Sequence, residues 1–189
     1  MGWRGRMAGK RDWLEAGLDI LGEHGAPALT IERLTERLGL TKGSFYHHFK
    51  GMGGYKTALL AHIEAEGTAA YIAYADSGPD RSARARLDRL AERVSDDDRG
   101  PALEVAVRAW AQQDPEVRAL QERVDRTRMA YLRDLWQEIT GDPAAAEQTA
   151  LLLYLVTIGA DHLVPAASGR ALRGLYDLVI RLGAGDRAP

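Results

Sequence analysis

The chain contains no cysteine, which excludes a disulfide framework and any thiolate-held metal centre. It also lacks a long apolar run. The longest, from Ala150 to Ala160, is too short to cross a bilayer and is interrupted by Thr157, so no membrane partner is expected. Met1-Gly2-Trp3-Arg4-Gly5-Arg6 has no apolar core of the kind a secretory leader needs, and the expected location is the cytoplasm. No β-strand signal and no internal repeat stands out. Catalytic spacings are missing too: there is no GxSxG, HExxH, GxGxxG or P-loop. His24, His47, His48, His62 and His162 are scattered, without a base–nucleophile set. His47 and His48 are adjacent, so on a helix they point about 100° apart and do not share one metal. Asp96-Asp97-Asp98 lacks the spacing of a calcium loop and reads as solvated. No catalytic residue, metal or cofactor is expected.

What remains is helical. A length of 189 residues suits one large or two small domains, and 46% hydrophobic with 28% charged residues is ordinary for a globular protein. The net charge of −2 hides an asymmetry. Residues 1–56 hold nine Lys and Arg against six Asp and Glu, a balance of +3, which leaves −5 for the rest. A basic N-terminal part on an acidic body suits a nucleic-acid-binding head on a body that does not bind nucleic acid.

The segment Thr30 to Phe49 carries the sharpest pattern. Thr30 is a good N-cap. Ile31, Leu34 and Leu38 share one helical face, Glu32, Arg33, Glu36 and Arg37 cover the other, and Gly39 ends the helix. Thr41 caps a second, short helix whose buried side is Phe45 and Phe49. Lys42, Ser44, Tyr46, His47 and His48 are left facing outward as donors to phosphates and base edges, and Gly43 allows close backbone approach. Two short helices, a glycine turn and a polar second helix spell a helix-turn-helix. Lys10 to His24 is a further helix, packing behind these two to complete a three-helix head.

Trp13-Leu14, Ala16-Gly17, Ile20-Leu21, Glu23, Gly25, Thr30-Ile31, Leu34, Gly39-Leu40, Lys42-Gly43-Ser44-Phe45-Tyr46 and His48-Phe49 together resemble the N-terminal domain of the TetR family of bacterial transcriptional regulators, over about residues 12–62. The resemblance implies an all-α fold of about nine helices: a helix-turn-helix head at 1–53, with a flexible arm at 1–9, and a helical effector-binding and dimerisation domain at 54–189. It implies a homodimer through the last two helices. Its function would be a ligand-responsive repressor on a palindromic double-stranded operator, released by a small-molecule effector of unknown identity. Lys42 and Gly43 would touch base edges. Thr30, Thr41, Ser44, Tyr46, His47 and His48 would hold phosphates, with Lys50 or Lys56 taking the role of the lysine that opens the fourth helix in the family. Two departures stand out. The link from Lys50 to Lys56 is longer and glycine-rich, and Thr35 stands where the family usually has alanine, so its methyl should point inward. The alternative reading is an all-helical small-molecule-binding or enzymatic dimer that does not bind DNA.

Beyond the head, helical patterns run over about 54–75, 82–94, 101–110, 116–140, 144–162 and 170–182, separated by Gly, Pro and Asp breaks. The stretch Leu151 to Val156 is apolar on every side, which calls for core on one side and a partner subunit on the other. Arg108, Trp110, Arg128, Met129, Tyr131, Trp136, Tyr154 and His162 are the candidate effector-pocket residues. Arg128 lies among apolar neighbours and would welcome a carboxylate-bearing effector.

Overall fold

The computed structural model describes residues 9–185, whose regular structure is all helical: nine longer helices, a 3-10 turn at Ala26–Ala28 and no strand. α1 is Lys10–His24, α2 Ile31–Leu38 and α3 Lys42–His48. α4 covers 52–76 as an α-helical part Met52–Glu64, a π turn Ala65–Ala69 and a second α-helical part Ala70–Asp76. α5 is Ala83–Ser95, α6 Gly100–Ala111, α7 Pro115–Thr140, α8 Pro143–His162 and α9 Gly169–Gly183. The expected arm lies outside the described residues except for Gly9.

Local chemistry explains most boundaries. Side-chain oxygens of Thr30, Thr41, Ser82, Asp142 and Ser168 accept backbone N–H groups in the first turns of α2, α3, α5, α8 and α9. Gly39 ends α2 in the left-handed region at φ 66°, where other residues are strained. The sequence predicts a loop from Lys50 to Lys56, but the chain turns at Gly51 alone (φ 88°), and Gly53 and Gly54 lie in the first turn of α4. Each glycine weakens a helix interior by about 1 kcal/mol. Tyr55 follows directly and is fully buried, and burying an aromatic side chain stabilises by about 1.5–3 kcal/mol. The sequence also predicts one unbroken helix over 54–75; the structure places the π turn inside it. There Arg128 donates to the Gly67 carbonyl (3.2 Å) and to Thr68 Oγ1 (3.1 Å), supplying partners where the i→i+4 ladder is interrupted.

The chain forms two compact units, Met1–Ala65 with Ala102–Gln121, and Glu66–Pro101 with Glu122–Pro189. The first is built on Trp13, Leu14, Leu18, Leu34, Phe45, Phe49, Tyr55 and Leu59. The second is built on Leu87, Leu132, Leu135, Trp136, Leu153, Leu172, Tyr176 and Ile180. Trp136 belongs to this core: a Cβ added at Gly183 would come within 2.8 Å of its ring. α8 and α9 pack on one another. Their outer sides leave Leu151, Leu152 and Leu155 of α8 and Leu175, Leu178 and Leu182 of α9 exposed, Leu155 at 57% and Leu182 at 68%. No helix among the described residues is long and apolar enough to cross a membrane.

Candidate nucleic-acid interface

The outer face of α3 is set by what its inner face does. Phe45 is fully buried and Phe49 nearly so. Phe45 meets Trp13 edge-on at 5.5 Å between centroids and lies 5.2 Å from Phe49, which meets Tyr55 edge-on at 5.0 Å. Such aromatic packing adds about 0.5–1.5 kcal/mol per pair beyond area burial. With Phe45 and Phe49 inward, Lys42, Gly43, Tyr46 and His47 are exposed by helical geometry and Ser44 and His48 are half-buried. Tyr46 is 57% exposed even though its ring edge meets Phe45 at 5.6 Å. The rings of His47 and His48 lie 5.1 Å apart and edge-on, at 75°. Among the described residues no group of three or more His, Asp or Glu could hold a metal.

Thr30 and Thr41 use their hydroxyls as caps, on Arg33 N (3.2 Å) and Ser44 N (3.3 Å). Gly43 is exposed, and a Cβ built there would meet only Thr41 Oγ1, at 3.6 Å. The chain's own packing does not require glycine at this position. Thr35 is buried, and its hydroxyl donates to the Ile31 and Glu32 carbonyls at 2.9 and 2.8 Å, so the hydroxyl finds partners on its own helix. α2 is tied to α1 by Arg37, which donates to Glu23 at 2.8 Å.

The lysines differ from one another. Lys50 is exposed directly after α3. Lys56 sits in α4 with Nζ 2.6 Å from Asp114 and 2.9 Å from Glu116, and 5.8 Å above the Trp110 ring. Partial burial works against its charge, but hydrogen bonds and attraction from the two carboxylates hold its pKa above the ordinary lysine value. Lys42 pairs with Glu32, a partnership that sequence reading passed over because ten residues separate the two. The hydrogen bond between them lowers the Glu32 pKa and raises that of Lys42.

The candidate effector residues divide between the units. Arg108 and Trp110 belong to the first, where Arg108 donates to Glu104 at 2.7 Å. In the second, Tyr131 donates to Asp76 at 2.7 Å beneath the Arg86 guanidinium, and its pKa is pushed up to about 12 by burial and that bond. Tyr154 donates to Asp125 at 2.7 Å, Met129 packs against the core, and the exposed His162 contacts the Ile158 carbonyl through Nδ1 at 2.8 Å. Arg128 holds the π turn.

Residues 14–62 match the family described as bacterial regulatory proteins, tetR family. No curated protein matches the chain. Solved structures do. A Rhodococcus protein described as a TetR-family transcriptional regulator is 22% identical, covering 93% of this chain and 98% of its own, with a TM-score of 0.73. A TetR-family transcriptional regulator of Streptomyces coelicolor is 18% identical with 94% of each chain covered and a TM-score of 0.75. A protein of Saccharomonospora viridis, described as a transcriptional regulator in complex with choline, is 18% identical, covering 91% of this chain and 95% of its own, with a TM-score of 0.75. Residues 14–62 thus match the N-terminal domain of the bacterial regulatory proteins of the tetR family, and along nearly its whole length the chain shares the fold of these solved structures.

Proposed function

We propose that this protein is a ligand-responsive transcriptional repressor of the bacterial cytoplasm that binds a palindromic operator as a homodimer. One observation carries the reading: Phe45 and Phe49 anchor α3 in the core so that Lys42, Gly43, Tyr46 and His47 stand outward on one short helix. Lys42 and Gly43 reach base edges; Thr30, Thr41, Ser44, Tyr46, His47, His48 and Lys50 hold phosphates. Lys56 is the exception to the family pattern, because its ammonium is taken by Asp114 and Glu116. Functionally, 1–53 is the head and 54–189 the effector-binding and dimerisation part. The exposed leucines of α8 and α9 form the dimer face, and a twofold pair presents its two α3 helices about 34–36 Å apart or a multiple of it.

Release follows from linkage: an effector that prefers the conformer with wrongly spaced heads lowers operator affinity. The effector binds the helical body, and within the second unit Arg128, Met129, Tyr131, Trp136, Tyr154 and His162 are its candidate contacts. A structure of like fold, that of the Saccharomonospora viridis protein, holds choline, which supports a small-molecule role for the body without naming the ligand here.

The test is a duplex titration at two salt concentrations. Affinity that falls steeply with salt supports the reading, since each neutralised phosphate contributes a slope of about 0.9. No affinity for any duplex in dilute buffer refutes it, and leaves a helical ligand-binding dimer.

A further inference from the structure

Glu32 and Lys42 form an ion pair on the outer surface of the helix-turn-helix. Glu32 is the second residue of α2 and Lys42 the first of α3, and the turn at Gly39 brings them together. Their side chains are 65% and 59% exposed, so the pair faces whatever docks on α3. Nothing in the packing demands it, because α2 is already fixed by Leu34 in the core and by Arg37 on Glu23. A carboxylate on a surface meant for phosphates is a cost unless it discriminates.

Resting on the DNA-binding reading, we propose that Glu32 is a specificity-determining residue: it occupies the Lys42 ammonium so that an arbitrary phosphate cannot use it, and releases that ammonium only to a G·C base edge. A phosphate approaching Lys42 must either displace Glu32, exchanging one anion for another, or lie against a carboxylate of like charge. Neither gains much. A guanine offers O6 and N7 as acceptors to Lys42, and its paired cytosine offers the N4 amino group as a donor to Glu32. The two side chains are therefore satisfied together by a base pair and not by a backbone. Selectivity of this kind comes from penalising the wrong partner.

The experiment compares the full-length chain with Glu32→Gln on two labelled duplexes across a salt series: one of random sequence, and one enriched by the unaltered protein from a random library. Glu32→Gln should bind the random duplex about two- to fivefold more tightly at low salt, the range expected for freeing one exposed charge pair. Its salt dependence should steepen by about 0.9, one further phosphate contact. Selection repeated with the variant should lose a G·C preference at one position in each half-site. In the Lys42→Ala background the steepening should vanish, because no ammonium is left to free. Unchanged or weaker binding of the random duplex by Glu32→Gln, with an unchanged melting curve, overturns the inference while the DNA-binding reading stands. If the unaltered protein binds neither duplex, the DNA-binding reading fails and Glu32 falls with it.

Discussion

The Tyr55 hydroxyl donates a 2.9 Å hydrogen bond to the backbone carbonyl of Trp13, forty-two positions earlier in the chain. Gly17 makes the contact possible: a Cβ there would collide with that hydroxyl and come within 3.0 Å of the ring carbon bearing it. α1 and α4 are thus clamped at the back of the core that orients α3. Gly17→Ala should displace Tyr55 and destabilise the protein by about 1–3 kcal/mol, the usual cost of overpacking. Tyr55→Phe removes only the hydrogen bond and should cost about 0.5–1.5 kcal/mol. Urea titrations followed by tryptophan fluorescence would measure both, and equal effects would contradict the steric role of Gly17.

Gly43 separates stability from binding. Alanine fits there without a clash inside the chain, and it favours a helix over glycine by up to about 1 kcal/mol. Gly43→Ala should therefore melt no lower than the unaltered protein, yet on the proposed DNA-binding reading bind operator DNA at least tenfold more weakly, because the added methyl would take space that reading assigns to the DNA. A variant that binds normally would remove Gly43 from the interface.

On the same face, Tyr46→Phe and His48→Ala should weaken binding to every sequence alike, and Lys42→Ala should also relax sequence preference. Losses of about tenfold to a hundredfold are expected for each phosphate contact, from a hydrogen bond to a charged group of about 1.5–3 kcal/mol. Gel-shift titrations on operator and random duplexes decide between the two patterns.

The dimer face makes a separate prediction. Leu155 and Leu178 are exposed on the outer sides of α8 and α9. Replacing both with glutamate leaves the core of each chain alone but puts charge into the proposed contact. Sedimentation should then give a folded monomer that no longer binds the palindrome with high affinity. A dimer that survives both changes would place the contact elsewhere.

Lys56 and Asp114 predict a response to pH. The Asp114 carboxyl is held below its ordinary pKa, first by the hydrogen bond from Lys56. A group whose folded pKa is depressed contributes stability above its unfolded value, near 3.9, and that contribution is lost as pH falls through the folded value. Asp114→Asn retains an oxygen to cap Glu116 N, now 3.0 Å from Oδ1, while removing the charge. At neutral pH it should cost about 0.5–1 kcal/mol, and the difference from the unaltered protein should shrink as pH drops below 4. Parallel melts at two pH values measure this; a pH-independent difference would mean that the charge pair contributes nothing.

Much of the head was legible in the residues because its signals are local. The caps at Thr30 and Thr41, the turn at Gly39, and the inward pair Phe45 and Phe49 all depend on neighbours within four positions, where helical geometry leaves few choices. The same logic placed most helix ends within a residue or two, from α5 to α9. It failed at Gly53 and Gly54, where local preference points to a loop but the burial of Tyr55 draws the segment into α4.

The sequence by itself determined that the chain is helical, where most of its helices begin and end, and which side of α3 must face out, because periodicity and capping act over one or two turns. Only the tertiary structure decided the partners: Glu32 for Lys42, Asp114 and Glu116 for Lys56, Trp13 for Tyr55. Those pairings join residues ten to sixty positions apart, and no spacing along the chain encodes them. They follow from how packed helices bring particular atoms together, and that is what turns a cation expected on DNA into one held by carboxylates.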